Sequence, residues 1–92
     1  MAQINITITD SNGTNGKSYV TLNSEVPIGP NGIDYPINWS GHINNEEVTV
    51  IQKDSLSWSP NSYDFAGTPK KFSHLQKHII DSISNYMDSM LN

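Results

Sequence analysis

The stretch that most constrains the fold is the last one, TPKKFSHLQKHIIDSISNYMDSML, from Thr68 to Leu91. Stepped at about 100° per residue, Phe72, Leu75, Ile79, Ile83, Tyr86, Met87 and Met90 fall on one stripe, and Ile80 and Leu91 widen it. Thr68 is a good N-cap and Pro69 suits the first helical position. The pattern predicts a helix over 69–91 with one broad apolar face. A helix of this kind is stable only when that face is covered. In a chain of 92 residues without cysteine, neither disulfides nor thiolate metal sites supply the cover. It must come from the rest of the chain, or from that and a second copy together.

The N-terminal half offers a sheet. In QINITITD, Ile4, Ile6 and Ile8 alternate with Asn5, Thr7 and Thr9, the period of a half-buried strand. DSNGTNGKS follows, with two Asn-Gly pairs that favour left-handed turn conformations. SYVTLN is expected to return beside the first strand as a hairpin. EEVTVIQ reads as a third strand. DSLSWSP, with Leu56 and Trp58 on one side, is a fourth strand or the far half of the third, ended by Pro60. NSYDFAG reads as a connector. The expected architecture is α+β: one domain over 1–92, with a small antiparallel sheet of three or four strands within 3–59. The helix covers its apolar face of Ile4, Ile6, Ile8, Val20, Leu22, Val48 and Val50. The other face, with Asn5, Thr7, Thr9, Tyr19, Thr21 and Thr49, is polar and stays wet.

Between the hairpin and the third strand lies EVPIGPNGIDYPINWSGHINN, residues 25–45, with three prolines and three glycines. It reads as a long central loop that interrupts the sheet. Ordering so long a loop carries an entropy cost of about 1–2 kcal/mol per residue, so the segment either packs on the sheet or is ordered by a partner. The expectation is that Ile33 and Ile37 anchor it, while Tyr35 and Trp39 face outward as rigid aromatic contacts. Asp34, His42 and Trp58 complete the expected partner-binding set.

Composition excludes several classes. A net charge of −4, five lysines and no arginine do not make the basic stripe that neutralises phosphates, so no nucleic acid is expected. No stretch approaches the length and apolarity of a membrane helix, and MAQINITITD lacks the charged start and apolar run of a secretory leader. These features predict a cytoplasmic protein, in the host cytoplasm if a phage encodes it. The Asn, Ser and Thr content resembles that of small phage or mobile-element proteins.

Catalytic and cofactor signals are thin. His74 and His78, four apart, with Asp81 beyond them, form a His-x3-His pattern able to ligate zinc or nickel. On an open helix face a solvated histidine pair is the commoner meaning. Ser40 stands two residues from His42, but no G-x-S-x-G frame surrounds it. GPNG lacks the Lys-Ser/Thr of a phosphate loop. The sequence therefore predicts a non-enzymatic protein without cofactor or metal that binds another protein. A phage or mobile-element inhibitor of a host defence system is the concrete form. A structural subunit of a virus-like particle is one alternative. A nucleotide or sugar binder using Tyr35, Trp39 and Trp58 for stacking is another. Small size and free sheet edges predict a homodimer.

Overall fold

The computed structural model describes residues 2–24, 28–29, 32–33, 37–53 and 60–91. These form a five-stranded antiparallel sheet with one helix on a single face, an α+β architecture. The strands are β1 (Ala2–Thr14), β2 (Lys17–Ser24), β5 (Ile37–Ile43), β6 (Glu46–Gln52) and β7 (Tyr63–Gly67), and their spatial order is β1-β2-β5-β6-β7. Two-residue strands β3 (Ile28–Gly29) and β4 (Gly32–Ile33) pair with each other outside the main sheet. A 3-10 segment, Lys70–Leu75, leads directly into α1, Gln76–Leu91.

Two tight hairpins set the register. Asn15 and Gly16, both at positive φ, join β1 to β2, and Asn44 and Asn45, also at positive φ, join β5 to β6. Paired left-handed residues form the turn whose twist matches that of the flanking strands. The first Asn-Gly pair does not turn. Asn12 and Gly13 lie within β1, inside the irregularity in pairing between Thr9 and Thr14.

Alternation then sorts the side chains. Ile4 and Ile8, Val20 and Leu22, and Val48 and Val50 are buried on the helix side, with Ile6 partly covered. Phe72, Leu75, Ile79, Ile80, Ile83 and Met87 meet them from the other layer. The stripe read from the sequence is the buried face. The side chains of Met90 and Leu91 lie outside the described residues.

The expected architecture needs correction in four places. The sheet has five strands, not three or four. NSYDFAG is not a mere connector, because Tyr63–Gly67 is edge strand β7, pairing with β6 from Thr49 to Gln52. The stretch 25–45 is not one loop: Ile37–Ile43 is the central strand of the sheet, bonded to β2 on one side and β6 on the other. The helix does not run uniformly from 69, and Thr68 does not cap it. The Thr68 hydroxyl donates to the Thr49 carbonyl at 2.9 Å, fastening the helix approach to β6, while Pro69 precedes a 3-10 start with no side-chain cap. The proposed strand through Leu56 and Trp58 falls mostly on residues 54–59, outside the described residues.

Trp39 holds the centre. In a strand, residues two apart share a face, so Trp39 takes the side of Ile43 and both are 0 % exposed. Its ring meets Tyr86 edge-on at 6.0 Å, and its indole N–H points to Gln52 Oε1 at 3.5 Å. Gln52 is itself fully buried, in register with Ile37 on one side and Tyr63 on the other.

Ile83 is fully buried under the sheet, whereas Asp81 is exposed and paired with Lys77 at 3.2 Å. An unpaired charge in place of Ile83 would cost several kcal/mol in a domain whose whole stability is about 5 kcal/mol. Ile83→Asp is expected to abolish the cooperative thermal transition, and Asp88→Ala, at an exposed position of α1, to shift it by only a degree or two. Equal melting of the two variants would contradict the helix face.

Candidate functional site

The structure separates the expected contact residues. Trp39 lies in the core, not on a partner-facing surface, because its strand parity sends the ring under the helix. This corrects its assignment as an outward aromatic, and a stacking pocket that needs Trp39 is withdrawn with it. His42 does lie on the surface, on the sheet face opposite the helix. Asp34, Tyr35 and Trp58 fall outside the described residues.

The histidine pair is also divided. His74 belongs to the 3-10 segment and its Nε2 sits 3.0 Å from both oxygens of Asp10. His78 belongs to α1, on the flank that faces β1 together with Asp81 and Ser82. Among the described residues no three His, Cys, Asp or Glu side chains gather as a metal site.

Asp10, at the head of the turn segment DSNGTNGKS, organises a polar cluster. Its carboxylate accepts from Ser18 Oγ at 2.7 Å and from the Asn12 amide at 3.0 Å, besides the contact to His74. Asn44 extends the cluster: its Nδ2 donates to Ser18 Oγ at 2.9 Å, and its Oδ1 accepts the Tyr19 amide at 2.8 Å. The Asp10 side chain is 4 % exposed and that of His74 40 %. Serine and histidine both bind the carboxylate, and no hydrogen bond joins them among the described residues, so the trio is not a nucleophile and its base. It fastens three separate pieces: the first hairpin, the β5–β6 turn and the 3-10 segment. Beside it Lys71 Nζ lies 2.7 Å from Glu46 Oε1, a second tie between the same segment and β6.

The larger feature is the sheet face that no described element covers. Register places Asn5, Thr21, His42 and Glu47 in one row across four strands, and Gln3, Asn23, Ser40, Thr49 and Gly67 in the next across all five. Neighbouring side chains bond within the face: Thr21 Oγ1 donates to Asn5 Oδ1 at 2.7 Å, and Gln3 Nε2 to Asn23 Oδ1 at 2.9 Å. The outward residues of β1 from Gln3 to Thr9, of β2 from Tyr19 to Asn23 and of β5 from Asn38 to His42 include no Asp, Glu or Lys. Tyr19, 52 % exposed, is the one exposed large hydrophobic side chain among the described residues. It forms a shallow hollow with Thr14, Thr21, His42, Asn44 and Asn45.

Comparisons with family models, curated proteins and solved structures found no match. Among the described residues no helix is long and apolar enough to cross a membrane.

The Asp10 cluster makes stability depend on acid. The Ser18 hydroxyl, then the His74 imidazole, hold its carboxyl down from 3.8 to about 2, against the opposing effect of burial. A carboxyl with a lowered folded-state pKa contributes stability that is present above its unfolded value and is lost as pH falls towards the folded one. Unfolding followed by circular dichroism should therefore show wild-type stability dropping between about pH 4 and pH 2 more steeply than that of Asp10→Asn. Parallel acid profiles for the two proteins would contradict this role.

Proposed function

We propose that the protein acts by binding another protein through the open face of its sheet, with Tyr19, Thr21 and His42 at the centre of the contact. The observation that carries this reading is the composition of that face. Protein interfaces are depleted in lysine and glutamate and enriched in aromatic residues. Here short Asn, Thr and Ser side chains, partly bonded to each other, surround an exposed tyrosine. Such side chains lose far less rotamer entropy on docking than lysine or glutamate would. The backbone beneath them is held by hydrogen bonds on both sides in β2, β5 and β6, which favours a preorganised surface. Tyr19 is the natural anchor, since tyrosine hot spots carry a large share of interface energy.

The mode of action is stoichiometric and non-enzymatic: the sheet occludes part of the partner. A small inhibitor of a defence or toxin system is the concrete form. His42 keeps the role expected for it, and Tyr19 takes the place expected of Trp39.

The test compares capture by surface variants. The immobilised chain is expected to retain a protein from lysate of its source cells. Tyr19→Ala should weaken that retention by about 2 kcal/mol or more, and Thr21→Lys should abolish it. Asp88→Lys, exposed on α1, should leave it unchanged. Retention that survives both face variants, with their folds intact, would overturn the assignment.

A further inference from the structure

The two edges of the sheet are built differently. On one side β7 is five residues long, carries Asp64 and is flanked by the 3-10 turn Pro60–Ser62. Short, charged edges resist further pairing. On the other side β1 runs straight from Gln3 to Thr9 with no proline, no glycine and no charged residue, in continuous register with β2. The features that blunt an edge, a charge and a pairing irregularity, begin only at Asp10. A β-branched, uncharged strand with no further strand beside it among the described residues is a template for another strand.

The flank beside this edge is also incomplete. Ile6 is only partly buried, although Ile4 and Ile8 on either side of it are buried. A groove runs along the edge, lined by Ile6 to Thr9 and by His78, Asp81 and Ser82 of α1.

We propose that a second copy of this chain fills that groove, pairing β1 with β1 antiparallel about a two-fold axis at Ile6. The sequence of the edge complements itself in this register. Gln3 lies opposite Thr9, Ile4 opposite Ile8, Asn5 opposite Thr7, and Ile6 opposite Ile6. Every isoleucine meets an isoleucine on the helix side, and every polar residue meets a polar one on the open side. A slip of one residue would set isoleucine against asparagine or threonine. The axis stands perpendicular to the sheet, so both helices stay on one side and run antiparallel. Each then offers His78 to the second copy's Asp81, a donor to a carboxylate, twice over. This reciprocity is what an isologous two-fold contact requires. The product is one continuous ten-stranded sheet with Ile6 covered. The open face, on the far side from both helices, remains free in the dimer.

The chain has no cysteine, so an introduced one reports its own position. Directly opposed residues in an antiparallel pair have Cβ atoms about 4.5–5.5 Å apart, within small adjustment of disulfide geometry. Sedimentation of the wild-type chain well above micromolar concentration is expected to give twice the chain mass. Under mild oxidation Ile6→Cys should cross-link nearly completely, and Ser40→Cys, on the open face, should not. His78→Asp should weaken the dimer at least tenfold, and adding Asp81→His should restore it. A wild-type monomer overturns the proposal. So does a dimer in which Ile6→Cys cross-links no faster than Ser40→Cys, which would place the contact on the open face or elsewhere.

Discussion

Everything in this fold hangs on the seam between Trp39 and α1. A single sheet covered by a single helix has one core layer, and its middle must be filled by something large. Trp39 supplies that volume from the central strand, and Tyr86 meets its ring from the helix. A buried tryptophan of this kind is worth about 3–5 kcal/mol relative to alanine, comparable with the whole stability of a small domain. The polar end of the indole is directed to Gln52, so the largest core side chain brings its donor to a partner. That contact also links β5 to β6 through side chains where they are already linked through the backbone. With the helix committed to this side, no described element covers the opposite face of the sheet.

Much of this was legible from periodicity. The alternation in QINITITD and SYVTLN, the EEVTVIQ strand and the stripe of α1 each encode their own buried face, because a period of two or of 3.6 leaves little choice of side. The central strand carried the same signal: Ile37, Trp39, Gly41 and Ile43 alternate with Asn38, Ser40 and His42. Prolines and glycines just upstream, and Gly41 within it, made a strand look like a loop. Gly41 has its own reason, since a Cβ there would run into the Thr21 carbonyl of the neighbouring strand. Asp10 and Ser18 share the inward parity of Ile8 and Val20, so their burial was implied by the same rule. Their partnership with His74, sixty-four residues away from Asp10, was not, because no local pattern encodes contacts made by the arrival of a distant segment.

The same asymmetry explains the functional surfaces. Hydrophobic residues are concentrated on the helix side of β1, β2, β5 and β6, so over β1, β2 and β5 the other side is free to be mostly small, polar and uncharged. The composition that keeps that face exposed in water also suits it to docking. At the sheet's margins, β7 is short and charged, while β1 is long and bare. The Asp10 cluster lies where the bare run ends, tying down the hairpin beyond it. One strand thus has two regimes, a polar knot that serves the monomer and a self-complementary run.

The most direct test of the account is the environment of Trp39. In a Trp58→Phe variant the emission of the single remaining tryptophan reports the seam alone. Emission shifted well to the blue, resistant to iodide quenching and moving to the red only in the global unfolding transition, is the result predicted for a ring sealed between sheet and helix. Red-shifted, iodide-quenched emission from the folded protein would contradict it, for Trp39 would then be a surface residue and the core would need another centre.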